Sequence, residues 1–140
     1  MTAAIAAAPS AVHNPPHYQG KGGIEAIDVI EAAFGLEGHA PNALKYMLRH
    51  HAKGRPAEDL AKARWYVARL LAAPDRPQPQ PLMSIERMHT VVQAFALGDH
   101  VRNAFAHLLT AVAAAAEDRY RAELRACCTS LDRAVAEIGG

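Results

Sequence analysis

Four prolines in eight residues, Pro74, Pro77, Pro79 and Pro81, bar regular structure from the middle of the chain, so folding must occur on either side of them. Both sides read as helix. Ile27, Ile30 and Phe34 share a helical face within 24–34, and Gly35 and Gly38 close that segment. Pro41 suits the first turn of a second helix running to Lys53, with Leu44, Met47, Leu48 and His51 in one stripe. Gly54 and Pro56 stop it. A third helix spans 57–73, with Leu60, Ala63, Val67, Leu70 and Leu71 inward and Glu58 and Asp59 at its positive end. Beyond the prolines, Ser84 can cap a fourth helix carrying Ile85, Met88, Val92 and Phe95, and Gly98 and Asp99 break it. Val101, Phe105, Leu108 and Val112 mark a fifth. Tyr120, Leu124, Cys127, Leu131, Val135 and Ile138 continue the spacing without an intervening Gly or Pro, so 100–138 is either one long helix or two. No alternating strand pattern occurs. The expected fold is an all-α helical bundle, preceded by an extended arm over 1–16 that Pro9, Pro15 and Pro16 keep out of helix.

The halves flanking the prolines look alike. Shifting the sequence by 61 positions aligns 24–48 with 85–109 without a gap and gives nine identities in 25, among them Phe34 with Phe95, His39 with His100 and Asn42 with Asn103. Glu58-Asp59 and Glu117-Asp118 could mark equivalent helix starts after a two-residue deletion. Chance alignment of Ala-rich amphipathic helices is the alternative to an internal duplication into two three-helix units. On the duplication reading the chain divides into the arm, a helical unit over 17–73, a Pro-rich linker over 74–83 and a degenerate second unit over 84–140, with a bend near Glu117. The second unit keeps packing residues but not cations: Lys45, Arg49 and Lys53 align with Ala106, Thr110 and Ala114. The chemistry is therefore expected in the first half. The second half would brace it and supply a homo-oligomer contact through its C-terminal helices.

Composition narrows the functions. Fifteen Lys and Arg against 14 Asp and Glu leave a net charge of +1, which makes no case for whole-molecule binding of nucleic acid or membrane. No apolar run reaches the roughly 18 residues of a membrane span. The two cysteines are adjacent and cannot tie distant segments, which fits a reducing, cytoplasmic setting. The histidines lack zinc-site spacing and read as surface or capping residues, so no structural metal is expected.

Charge is nonetheless concentrated locally. Between Pro41 and Leu70 there are seven Lys or Arg and two acids. At about 100° per residue, Asn42, Lys45, Tyr46, Arg49 and Lys53 fall on one face of the second helix, opposite its apolar stripe. On the third, Asp59, Lys62, Tyr66 and Arg69 share a face with Trp65 at its border. Two neighbouring helices can thus aim Lys45, Arg49, Lys53 and Lys62 into one cleft. Arg supplies bidentate donors to phosphate oxygens and Lys a mobile point charge. Tyr18, Tyr46, Trp65 and Tyr66 are candidates to stack on a base. Glu25 and Asp28 lie one helical turn apart on a common face and could hold Mg²⁺, act as base, or pair with the cations. The alternative is an ordinary solvated face. No GxxxxGK[ST] phosphate loop is present, so a nucleotide site would have to be built from side chains on helices.

Five ordered blocks, Asn14-Pro-Pro-His-Tyr18, Gly23-Ile-Glu-Ala-Ile-Asp-Val-Ile-Glu31, Asn42-Ala-Leu-Lys-Tyr-Met-Leu-Arg49, Lys53-Gly54 and Glu58-Asp-Leu-Ala-Lys-Ala-Arg-Trp-Tyr66, resemble the SaV-like domain, a small phage-encoded domain. The resemblance covers about residues 13–72. One branch of that family comprises phage nucleotide kinases acting on deoxynucleoside monophosphates such as dTMP and dGMP. The resemblance implies such an activity, with ATP or another nucleoside triphosphate as donor. The matching polar residues are His17, Tyr18, Glu25, Asp28, Asn42, Lys45, Tyr46, Arg49, Lys53, Asp59, Lys62, Trp65 and Tyr66. Pro41 stands where Gly is common, and His50-His51 precedes the Lys-Gly pair; neither departure touches the cationic stripe.

Three functions remain open on these residues. In a kinase, Lys45, Arg49, Lys53 and Lys62 hold phosphates, Glu25 or Asp28 carries Mg²⁺ or orients the acceptor, and Tyr18, Trp65 or Tyr66 stacks the base. A non-catalytic nucleotide-binding or oligomeric interaction protein would use the same cleft without an acid. An all-α nucleotide pyrophosphohydrolase would draw on Glu25, Asp28, Glu31, Glu58 and Asp59. Arg49→Ala is expected to weaken nucleotide binding far more than folding.

Overall fold

A computed structural model describes residues 36–52 and 54–139 of the protein. The expected arm, the helix over 24–34 and Lys53 lie outside the described residues. Five helices follow: α1 (His39–Arg49), α2 (Pro56–Ala72), α3 (Ile85–Ala94), α4 (Asp99–Ala113) and α5 (Glu117–Gly139). No strand occurs among the described residues, and none of their helices is long and apolar enough to cross a membrane.

The helix limits have local causes. α1 ends at Arg49, short of the expected Lys53, because the Ala52 N–H bonds the Arg49 carbonyl at 2.8 Å and closes a turn. Gly54 follows at φ +72°, a left-handed conformation that glycine adopts without steric cost. Pro56 opens α2, with Glu58 and Asp59 in the first turn. Ala73 turns extended ahead of Pro74, as a residue preceding proline tends to. The Ser84 hydroxyl caps α3 by accepting from the Arg87 N–H at 3.1 Å. The segment 100–138 is two helices rather than one. Ala114 takes φ −67°, ψ 130°, and its carbonyl accepts 2.7 Å from Arg76 Nη1. An alanine run favours helix on propensity. The chain breaks there because reversal lets α4 and α5 bury their apolar faces on each other.

The helices pair antiparallel. α1 packs on α2, α2 on α5 and α5 on α4, while α1 and α4 meet over a short stretch and close the ring. Arg64 of α2 forks onto Asp132 of α5 at 2.7 and 3.2 Å. His107 of α4 meets Glu123 of α5 at 2.7 Å. Arg121 of α5 donates to the Leu71 and Ala73 carbonyls at 2.9 and 3.0 Å, capping the negative end of α2. Met47, Leu60, Val67, Leu70, Phe105, Leu108, Tyr120, Leu124 and Leu131 fill the centre. The adjacent thiols of Cys127 and Cys128 are free and buried, and burial pushes both up.

α3 departs from expectation. None of its residues is buried, and Ile85 and Phe95 are 82% and 45% exposed; Met88, Val91 and Val92 only lean on the core. The four helices of the ring already cover one another's apolar faces. The ungapped offset of 61 also carries several buried positions onto buried positions, Ala43 to Ala104, Met47 to Leu108, Ala63 to Leu124, Val67 to Cys128 and Leu70 to Leu131, although buried Leu60 and His39 fall on the half-buried Arg121 and His100. The first residues of α2 and α5, Pro56 and Glu117, are related by the same offset, so the two-residue deletion is unnecessary.

Candidate functional site

The α1–α2 hairpin draws its cations together over one aromatic ring. Lys45 Nζ lies 4.5 Å from the centroid of the Tyr46 ring, Arg49 Cζ 4.7 Å and Lys62 Nζ 5.5 Å. Lys45 and Arg49 come from one turn of α1 and Lys62 from the facing turn of α2. The face of a tyrosine ring carries negative potential and attracts each cation, yet three like charges around one ring repel one another.

Among the described residues a single carboxylate enters this cluster. Asp59, in the first turn of α2, is 3% exposed and accepts from Arg49 Nη2 at 3.5 Å, the outer limit of a hydrogen bond. Its second oxygen and Arg49 Nε are both buried without partners. The four groups therefore carry three positive charges against one negative. Burying an ion pair so loosely satisfied is costly, and removing one partner strands the other.

Aromatic side chains extend the cluster along α2. Tyr46 and Tyr66 lie nearly parallel at 6.1 Å, and the Trp65 ring meets Tyr66 edge-on at 5.1 Å, with Arg69 5.8 Å from the Trp65 centroid. His39 also reaches Tyr66 at 5.5 Å and is 2% exposed. His50 is buried as well and donates from Nδ1 to the Met47 carbonyl at 2.6 Å, its ring 3.9 Å from that of His51. Burial holds the His50 pKa below the usual 6.5 against the opposing pull of the Met47 carbonyl. His39 and His50 are core residues, not the surface or capping residues expected, and it is His50 rather than the exposed His51 that completes the α1 stripe. The 100° spacing could have found His50, which lies one turn beyond Met47.

Lys45, Tyr46, Arg49, Asp59, Lys62 and Tyr66 thus come together, with Trp65 beside them. Asn42 does not join them; its side-chain amide donates to the Gly38 carbonyl of its own helix at 3.0 Å. His17, Tyr18, Glu25, Asp28 and Lys53 lie outside the described residues. Among those described, no group of three or more His, Cys, Asp or Glu is placed to hold a metal ion.

Comparison with known proteins gives one match, over part of the chain. Residues 12–68 match the model of a family described as protein of unknown function, DUF3310. The match takes in all of α1 and most of α2, including every cation around Tyr46. Neither the curated proteins nor the solved structures give a significant match.

Proposed function

We propose that the α1–α2 face binds the phosphates of a nucleotide, and that the protein is a nucleotide kinase of the phage type that works without a phosphate loop. One observation carries this reading: three cations from two helices converge within 5.5 Å of the centroid of the Tyr46 ring, with one carboxylate among the described residues to balance them. An anion placed there relieves their mutual repulsion. Phosphoryl transfer asks mainly for positioning and for positive charge spread around the moving group. The γ-phosphorus of ATP, or of another nucleoside triphosphate, would bond to a phosphate oxygen of the deoxynucleoside monophosphate as its bond to the bridging oxygen breaks. Trp65 and Tyr66 offer ring surface for the base, and Glu25 and Asp28 remain the candidates for Mg²⁺. Such a reaction belongs in the cytoplasm, where the donor is made.

The second reading, binding without turnover, is favoured by Asp59. Its engagement with Arg49 leaves the cluster no uncommitted carboxylate among the described residues. Self-association, expected through the C-terminal helices, finds less support there, because α4 and α5 spend their stripes on each other and on α1 and α2. The large apolar side chains most exposed are Leu82, Ile85, Phe95 and Ile138, three of them on α3 or next to it.

The test is incubation with ATP and each deoxynucleoside monophosphate, with and without Mg²⁺. Diphosphate product is expected. Pyrophosphate release would identify a hydrolase instead, and saturable binding without product would identify a binding protein. Arg49→Ala is a poor probe, because it strands the buried Asp59 carboxylate and should cost about 2 kcal/mol of stability. Lys62→Ala is cleaner: nucleotide affinity should fall about tenfold, the loss of one charge-assisted contact, with circular dichroism and Tm unchanged. Unaltered affinity in both Lys62→Ala and Lys45→Ala would remove the site.

A further inference from the structure

The short contact between α1 and α4 leaves a cavity of about 400 Å³ at the end of the bundle where α1 begins and α2 ends, away from the cationic cluster. Its walls are apolar, with Leu44 and Leu70 from the first half and Leu108 and Val112 from the second. The linker roofs it, held down where the Gln80 N–H bonds the Val112 carbonyl at 2.7 Å. Two polar side chains in this lining carry unmet donors. Tyr120 is 1% exposed and its hydroxyl has no partner. Arg76 stacks its guanidinium 4.0 Å from the centroid of the Tyr120 ring and gives Nη1 and Nε to the Ala114 and Pro77 carbonyls, while Nη2 is buried and unpaired. Neither accepting carbonyl is charged, and no carboxylate among the described residues pairs with this cation. Burial pushes the Tyr120 phenol up against the pull of Arg76 and Arg121, which keeps it a donor.

Buried polar groups in folded proteins are nearly always paired, and an unpaired one needs an explanation. An apolar chamber holding a few convergent polar groups is what a small-molecule site looks like, and this volume lies within the usual range. We propose that this cavity binds a small organic monocarboxylate, its apolar body against the leucines and its carboxylate drawn to the Arg76–Tyr120 corner of the lining, where Nη2 and the hydroxyl, both set just behind the wall of the empty cavity, turn out to donate to it. One cation faces the ligand, and the Glu37 carboxylate stands in the same lining, which disfavours a doubly charged phosphate head. This site is separate from the α1–α2 face and does not depend on its reading.

Decanoate is a suitable probe, with decanol as the uncharged match, each titrated calorimetrically into the full chain. Decanoate should bind saturably with one site and raise Tm, and decanol should bind at least tenfold more weakly. Arg76→Gln should weaken decanoate at least tenfold. Because Arg76 also pins the α4–α5 turn, Tyr120→Phe serves as the second variant. It should weaken decanoate severalfold while leaving the ligand-free Tm unchanged or higher, since it removes an unmet donor and leaves the ring in place. The proposal is overturned if decanoate does not saturate, if decanol matches it, if both variants bind as the parent does, or if Tyr120→Phe lowers the ligand-free Tm.

Discussion

His50 illustrates how much a single buried side chain can set. Its folded pKa is lowered below 6.5, chiefly by burial, so the unfolded chain takes up the proton more readily. Stability from this group is therefore complete above about 6.5 and falls as the pH drops toward the folded value. Urea midpoints should decrease between pH 7.5 and 5.5, and His50→Asn, which can still donate to the Met47 carbonyl, should shrink that decrease. A decrease of equal size in the variant would assign the effect elsewhere. Glu123 acts lower on the scale. Burial raises its pKa, but hydrogen bonds from His107 and Arg119 outweigh burial and hold it below 4.5, so its contribution is lost only as its own carboxyl protonates. At this scale helical spacing located Lys45, Arg49 and Lys62, because one helix face is fixed by sequence interval alone. It could not locate Arg76 and Tyr120, whose meeting depends on where an irregular linker docks.

Among the elements, the end of α3 carries strain. Ala96 sits at φ +52°, the left-handed region that a Cβ disfavours. At the 61-residue offset its counterpart is Gly35, the residue type that occupies such a position freely. Ala96→Gly should therefore raise stability by about 1 kcal/mol in chemical denaturation, the reverse of the usual cost of adding glycine. Destabilisation by the same amount would show that chain entropy outweighs the relieved strain. α2 was readable nearly to the residue, since Pro56, the early acids and Pro74 are local signals. α3 was readable as a helix but not as an exposed one: periodicity identifies an apolar face and says nothing of whether another element covers it. Helical spacing left the break at Ala114 open, because four alanines favour helix; only the likeness of the two halves pointed to a bend near Glu117, and the packing of α4 on α5 and Arg76 impose it.

At the level of the whole bundle, the two hairpins meet chiefly along α2 and α5, and this seam holds the adjacent cysteines. The all-α architecture and the interruption of helix over 73–84 followed from sequence, because they rest on spacing and on proline's missing donor. The closed ring of helices and its cavity did not, since both arise from contacts between segments far apart in the chain. Leu131, fully buried on α5, should cost about 3 kcal/mol when cut to Ala. If the thiols react only after the bundle opens, that loss should speed their labelling by about a hundredfold, at 1.4 kcal/mol per tenfold. Faster labelling of the variant by far less would place the reactive opening at a local fray of α5. Two sulfur atoms locked into the seam thus act as a built-in clock. They report when the halves part company, without any need to know what the protein binds.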